Sequence, residues 1–388
     1  MTYKHLSFVS LFAVAALSAS AQRNVENFNF GWQFHRGNID VTAINTSDGS
    51  WETINVPHDF QISQPWVAPA ANESEDNSDG ASNFKSRLSA RGFKEMGDGW
   101  YVKTYTPAAD MKGRRILLDF EGIMYVGDVY LNGKRIGGTD YGYLGFDIDV
   151  SKLLKYGQAN TIAVHASTSG PLNSRWYTGG GLYRDVKIVS TPADIYFVRH
   201  PLYVTTTDNH LVNLQVEVAN YTKQNNVKLQ TVVKDPQGKI VYDKTVDMPF
   251  NRKMRTNELK WETIDIANPK LWNCDTPNLY TATVRILDAN GKEKDCATTR
   301  FGIRTIEIGP DFGLKVNGSK VLLKGIANHH TLGALGAAAY PRAMEKRMKM
   351  LKDFGFNHIR TSHNPYSTSF LNLCDSLGIL VLDELYDK

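Results

Sequence analysis

The stretch FNHIRTSHNPYSTSFLNLCDSLGILVLDEL, residues 356–385, decides the fold class of the C-terminal part of the chain. Two short apolar runs flank a segment whose apolar residues recur at helical spacing. Strand, helix and strand in this order predict a right-handed βαβ unit and hence a parallel sheet. Polar residues follow each run, with His363 and Asn364 after the first and Asp383 and Glu384 after the second. An α/β barrel equips its active-site face in this way.

The same pattern begins further upstream. Residues 315–327 predict a hairpin that leads into a strand, and residues 341–356 predict a helix that begins at Pro341. The apolar face of this helix would consist of Met344, Met348, Leu351 and Phe354. Three parallel strands result, and in a barrel their carboxyl ends open on one face. The polar residues expected on that face are Asn328, His329, His330, Arg360, Ser362, His363, Asn364, Asp383 and Glu384.

This concentration of polar residues has more than one interpretation. A lone histidine is more often structural than functional, but polar side chains at three successive strand ends exceed what packing requires. His329, His330 and His363 are also candidates for a zinc site, although neither the HxH nor the HExxH spacing is present. The pattern favours an active-site face, with the zinc site as the alternative.

Two β-rich units precede the parallel segment. Residues 22–192 contain short apolar runs separated by turn residues, and Asn132-Gly133 is a strong hairpin signal within them. Their spacing predicts a jelly-roll sandwich. Residues 193–303 predict about seven strands in an immunoglobulin-like sandwich, without the paired-cysteine signature of antibody domains. The fold class is therefore multidomain: an all-β jelly-roll sandwich, an immunoglobulin-like β-sandwich, and in residues 304–388 the start of a larger parallel α/β unit. The family resemblance described below implies that this unit is the first strands and helices of a (β/α)8 TIM barrel.

The bulk properties exclude some functions and compartments. A net charge of +4 over 388 residues, with no basic stripe, argues against nucleic-acid binding. Residues 1–21 predict a signal peptide, because Lys4 precedes an apolar run and Ala19-Ser20-Ala21 forms a small-x-small cleavage site. No later stretch is long and apolar enough for a membrane span. We therefore expect a periplasmic or extracellular protein, with retention of the segment as an N-terminal anchor as the alternative.

The three cysteines do not form a disulfide scaffold or a metal-binding pattern. Cys274 and Cys296 are candidates for a disulfide bond in an oxidising compartment. Cys374 occupies an apolar helical position, which is typical of a buried and inert thiol.

Several long motifs, in order along the chain, resemble family 2 glycoside hydrolases of the β-galactosidase type. They include VPHDFQI, SRWYTGGGLYRDV, KGIANHHTLGALGAA, FGFNHIRTSHNP and LCDSLGILVLDELYD. The resemblance covers essentially all of the chain after the signal peptide. It implies an exported, retaining enzyme that removes a terminal β-linked sugar from a glycan. The LGALG loop looks more like the galactosidase branch, and β-glucuronidase and β-mannosidase are the alternatives within the family.

The resemblance also implies roles for particular residues. His329 and His363 would hold the sugar that is released, and Asn364 would lie beside them. From the jelly roll, Asp59, Arg175 and Trp176 would approach the same pocket, although packing within the sandwich is an equal alternative for Trp176. Some relatives carry an acid that helps hold a monovalent cation where this chain has Arg175, which argues against that cation site here. Arg360, Asp383 and Glu384 would support the pocket from behind, with an acid paired to Arg360.

The resemblance places the chemistry itself elsewhere. Retaining glycosidases use two carboxyl groups about 5–5.5 Å apart. In this family both are glutamates on later barrel strands, so we expect them beyond Lys388, together with the ligands of any magnesium cofactor. The chain would then be inactive alone. Leu380 and Leu382 would have no barrel interior to fill. A full-length form could be a homo-oligomer. A non-catalytic carbohydrate-binding protein is the alternative from a different functional class.

Overall fold

The protein is described by a computed structural model, which covers residues 22–68, 92–170, 176–224, 226–250 and 257–385. The predicted signal peptide and Arg175 lie outside these residues. Within them, three structural units follow one another along the chain, each with its own hydrophobic core. Short 3-10 turns occur at Val41–Ala43, Ala109–Met111 and Gly333–Leu335.

The first unit is a sandwich of two antiparallel sheets, with strand orders β1-β10-β5-β8 and β3-β2-β4-β9-β6-β7. The strands are β1 (Asn24–Asn27), β2 (Trp32–Arg36), β3 (Glu52–Ile54), β4 (Asp98–Tyr105), β5 (Arg115–Phe120), β6 (Val126–Leu131), β7 (Lys134–Thr139), β8 (Phe146–Asp149), β9 (Asn160–Ser167) and β10 (Val186–Thr191). Alternate residues of β6 are buried, as expected for a strand with one face on a core. Asn132 and Gly133 both have positive φ, which is the backbone that a tight hairpin between β6 and β7 requires.

The second unit has the seven strands that the sequence predicts, in sheets ordered β11-β12-β15 and β14-β13-β16-β17. They are β11 (Ile195–Thr207), β12 (Leu211–Asn220), β13 (Asn226–Lys234), β14 (Ile240–Pro249), β15 (Asn257–Asp265), β16 (Tyr280–Leu287) and β17 (Glu293–Phe301). The proposed Cys274–Cys296 disulfide is wrong, because both thiols are free. Cys296 lies on β17, whereas Cys274 lies in the connection before β16 and packs with Trp272 and Leu380.

The third unit begins with a small antiparallel sheet and continues as a three-stranded parallel sheet, β21-β22-β23. Its elements are β18 (Ile306–Gly309), β19 (Gly313–Val316), β20 (Ser319–Val321), β21 (Gly325–Asn328), α1 (Pro341–Asp353), β22 (His358–Thr361), α2 (Thr368–Leu377) and β23 (Leu380–Asp383). The parallel register and the intervening helices are those of a TIM barrel's opening strands.

The sequence determines where both helices begin and end. Pro341 occupies the first turn of α1, where its missing N–H is not needed. The Ser367 hydroxyl caps α2 by accepting from the Phe370 amide, and Gly378 ends α2 in the left-handed conformation. Met344 and Met348 are buried as expected. Phe354 is 79% exposed, because it lies at the end of α1 rather than on its buried face.

The expectation that Leu380 and Leu382 have no apolar interior to fill is wrong for Leu380. Leu382 is exposed, but Leu380 is buried against Trp272, Cys274 and Val316, which come from the second unit and from β19. The Trp272 indole also donates to the Asp375 carbonyl oxygen of α2, at 2.8 Å. The second unit therefore gives β23 an apolar neighbour that the sequence pattern did not reveal. Within the described ranges, no helix has the length and apolar character needed to cross a membrane.

Candidate functional site

Three aromatic rings from distant parts of the chain meet at the carboxyl ends of the parallel strands. Trp176 comes from the jelly-roll unit, His329 follows β21 and His363 follows β22. The Trp176 ring stacks on the His329 ring, with 5.1 Å between the ring centroids. It contacts the His363 ring at a tilted angle, with 5.0 Å between the centroids. The two imidazoles lie 5.7 Å apart, edge to face. The fold therefore brings together three of the residues that the sequence nominated, and we call them the ring triangle.

Glu384 supports the ring triangle from behind. One carboxylate oxygen lies 2.7 Å from Nδ1 of His363, and the other forms an ion pair with the Arg360 guanidinium. Burial opposes the ionised form of Glu384, but the hydrogen bonds and charges of Arg360 and His363 outweigh it and lower its pKa. An ionised carboxylate at this position accepts a hydrogen bond from an N–H at Nδ1 of His363, which favours the tautomer with its proton on Nδ1. Asp383 has a different partner, since it accepts from the Thr361 hydroxyl at 2.7 Å.

The surroundings of His329 disfavour its charged form. Burial, followed by the proximity of His363, lowers its pKa below the ordinary value of 6.5. Its Nδ1 atom is buried and has no hydrogen-bond partner among the described residues. A neutral imidazole next to an indole suits contact with an uncharged polar ligand better than contact with a charged ligand.

His330 does not join the ring triangle. Its ring is buried edge to face against Tyr143, Tyr183 and Tyr366, and Nε2 lies 3.2 Å from the Thr178 carbonyl oxygen. Burial lowers its pKa to about 3. Packing therefore accounts for His330. The described residues also contain no group of three or more His, Cys, Asp or Glu side chains arranged for a metal ion, so the zinc alternative gains no support from them.

Asn364, the residue after His363, is fully buried. Neither its amide oxygen nor its amide nitrogen has a hydrogen-bond partner among the described residues. Buried amides without partners are rare in folded proteins, and each calls for an explanation such as a water or ligand. The geometry leaves the predicted sugar-binding role of Asn364 as a prediction.

Asp59 links the jelly roll to the parallel segment. It is 4% exposed, and its oxygens accept from the Tyr177 hydroxyl and from the amides of Gln61, Gly180 and Ala337, at 2.8–3.0 Å. Burial raises its pKa, while these hydrogen bonds favour the ionised form. Since Ala337 lies in the loop after β21, Asp59 fixes that loop against the jelly roll. Direct contact between Asp59 and a sugar stays a prediction.

The sequence alone did not reveal the groups that donate hydrogen bonds to Asp59. Gly179 has φ of +78° and Gly180 leaves no space for a side chain beside Phe60 and Thr168. Ala337 is buried against the same segment. The glycine run at residues 179–181 was the available signal, because consecutive glycines mark close backbone approach.

Family models match successive parts of the chain in the order that the fold shows. The galactose-binding domain-like model of glycosyl hydrolase family 2 matches residues 88–174, the glycosyl hydrolases family 2 model matches 197–304, and the family 2 TIM barrel model matches 310–386. The chain belongs to glycosyl hydrolase family 2. The ring triangle thus lies where the family 2 jelly roll meets the family 2 barrel segment.

Individual relatives agree with this membership. The chain is 31% identical to β-galactosidase BoGH2A of Bacteroides ovatus, over 97% of this chain and 42% of that protein. It is 28% identical to a β-glucuronidase of Formosa agariphila, over 94% of this chain and 38% of the relative. A family 2 structure from Bacteroides cellulosilyticus superposes with a TM-score of 0.82 at 33% identity, over 94% of this chain and 46% of that one. This family 2 chain therefore spans less than half the length of the relatives named here.

Proposed function

We propose that this family 2 chain forms the sugar-holding part of a retaining β-galactosidase, and that the ring triangle holds the terminal galactose. The observation that carries the proposal is the convergence of Trp176, His329 and His363 at the strand ends. An indole offers a flat face to the apolar side of a pyranose, and neutral imidazoles exchange hydrogen bonds with its hydroxyls. Such a pocket combines an apolar surface with a few oriented polar atoms, as small-molecule sites do.

A neutral sugar fits this pocket better than a uronic acid. Glu384 contacts both Arg360 and His363, and its carboxylate already neutralises the Arg360 guanidinium. A glucuronide would bring its own carboxylate towards Glu384 and would need a cation to offset it. The names of the relatives include both galactosidases and glucuronidases. The charge of the sugar, neutral for galactose and negative for glucuronate, is the property that separates these two candidate substrates.

Hydrolysis with retention needs two carboxyl groups about 5–5.5 Å apart. We assign these to no described residue, because Glu384 is engaged with His363 and Arg360, and Asp383 is engaged with Thr361. We accordingly assign the described residues to binding and orienting the sugar, and expect the 388-residue chain to bind galactose without turning over a nitrophenyl β-galactoside.

A sugar titration tests the proposal. Isothermal titration of the 388-residue chain with galactose, glucuronate and mannose should show the tightest binding for galactose. Tighter binding of glucuronate would favour a β-glucuronidase instead, and tighter binding of mannose a β-mannosidase. Absence of binding to all three sugars would contradict the assignment of the ring triangle.

We also propose that the protein is exported. Lys4, the apolar run after it and the site at Ala19-Ser20-Ala21 support this proposal. N-terminal sequencing of the protein from the native cell envelope or medium should give a chain that begins at Gln22. Recovery of a cytoplasmic protein that begins at Met1 would overturn it.

A further inference from the structure

A cavity opens on the jelly roll near the ring triangle. It has a volume of about 240 Å³, and Tyr125, Tyr141 and Tyr143 line it together with Asp140 and Thr178. Sites for drug-sized ligands usually measure about 300–1,000 Å³, so this cavity has room for one small cyclic unit rather than a long chain. None of the roles assigned above uses it.

Three contacts place this tyrosine cavity next to the ring triangle. Thr178 lies two residues after Trp176, and its carbonyl oxygen is the partner of His330, the neighbour of His329. The Tyr141 hydroxyl donates to the Leu385 carbonyl oxygen at 3.2 Å, directly after the glutamate that supports His363. Tyr143 also packs edge to face on His330 at 5.4 Å. A ligand in the cavity would therefore be a near neighbour of one held by the triangle.

Contacts within the protein hold the tyrosine side of the cavity in place. Tyr141 and Tyr143 contact each other edge to face at 5.5 Å. The carbonyl oxygen of Gly142 accepts from the Tyr183 hydroxyl, and that of Tyr143 accepts from Arg184, both at 2.9 Å. Tyrosine offers a large contact area with few rotatable bonds, so little entropy is lost when a ligand docks on such a wall.

The chemistry of the cavity suits a carbohydrate. Phenol rings present flat apolar faces that pack on the C–H face of a pyranose, and their hydroxyls exchange hydrogen bonds with the sugar. Asp140 is exposed at the cavity and supplies carboxylate oxygens that accept from hydroxyl groups. A carboxylate would repel a phosphorylated or carboxylated ligand, so the combination favours a neutral sugar.

We propose that the tyrosine cavity is a subsite for a second sugar unit, the one linked to the galactose that the ring triangle holds. This inference rests on the proposed function, because it assigns the neighbouring unit of the same substrate. It predicts that the chain recognises a β-galactosyl disaccharide through two adjacent pockets, with the jelly roll selecting the second unit.

Titrations with lactose and with methyl β-galactoside test this proposal on the 388-residue chain. Lactose should bind at least roughly tenfold more tightly, which is the scale of one additional well-made contact surface of about 1.4 kcal/mol. Tyr141→Ala and Asp140→Ala should each bring the ratio of the two affinities closer to one. Tyr141→Phe is the matched control: it keeps the ring and loses only a hydroxyl that already donates to the Leu385 carbonyl oxygen, so it should retain the ratio.

The outcomes separate this inference from the proposed function. Equal affinity for lactose and methyl β-galactoside in the unmodified chain would overturn the second subsite and leave the galactose pocket standing. An unchanged preference for lactose in both Tyr141→Ala and Asp140→Ala would do the same. Failure of both ligands to bind would overturn the galactose pocket and the second subsite together.

Discussion

Replacing Asp59 by Asn should loosen the loop after β21. The carboxylate accepts four hydrogen bonds from donors that all point at it. An Asn side chain offers one acceptor oxygen, and its NH2 group must face two of these donors. The Tyr177 hydroxyl can rotate and accept instead, but the amide of Ala337 cannot, so at least one buried N–H loses its partner.

The magnitude follows from these contacts. An unsatisfied buried donor costs about 1–3 kcal/mol, and a hydrogen bond to a charged group contributes about 1.5–3 kcal/mol. We therefore expect Asp59→Asn to lower the local opening free energy around Ala337 by about 2–4 kcal/mol. Local opening is the suitable quantity, because a chain with several domains need not unfold in one step.

Native-state hydrogen exchange measured by mass spectrometry checks this prediction. A peptide covering residues 331–339 should exchange at least roughly tenfold faster in Asp59→Asn than in the unmodified chain. Tyr177→Phe is the matched control, since it removes one donor and leaves the three amides bonded to Asp59. Equal exchange in Asp59→Asn and the unmodified chain would refute the claim that Asp59 fixes this loop.

Three further predictions concern stability and the thiols. Burial lowers the pKa of His330 to about 3, whereas in the unfolded state it has the ordinary value of 6.5. Between about pH 3 and pH 6.5 the unfolded state therefore binds more protons at this residue than the folded state does. The free energy of unfolding consequently rises with pH over this range. His330→Gln should flatten the rise in melting temperature between pH 4 and pH 6.5, and an unchanged slope would contradict the burial argument. Ser367→Ala removes the cap on the Phe370 amide and should lower stability by about 1 kcal/mol in urea titrations, whereas an unchanged midpoint would show that the cap contributes nothing. Alkylation of the unfolded, unreduced protein should label all three cysteines, and a mass shift corresponding to one label would reveal a Cys274–Cys296 disulfide instead.

Local sequence signals predicted the elements of this fold well. Asn132-Gly133 marked a hairpin, Pro341 marked the start of α1, and Gly378 marked the end of α2. Each of these residues acts through its own backbone preferences, so neighbouring sequence is enough to interpret it. The boundary between the β-rich units and the parallel segment followed from the change in period there.

Contacts between units were not predictable in the same way. The pattern gave no reason to bury Leu380 against Trp272, since the two residues belong to different units and are 108 positions apart in the sequence. The cysteine pairing failed for the same reason, because number and compartment do not fix distance. For the site, the resemblance nominated His329 and His363, but only the fold shows both in contact with Trp176.

The ring triangle is the proposed site for galactose. The most direct measurement is a nitrogen-15 NMR spectrum of the histidine side chains in the 388-residue chain, recorded while galactose is added. We predict that His363 carries its proton on Nδ1, facing Glu384. The ring signals of both His329 and His363 should shift as galactose binds, while those of buried His330 should not. Galactose binding that leaves the signals of His329 and His363 unchanged would contradict this assignment.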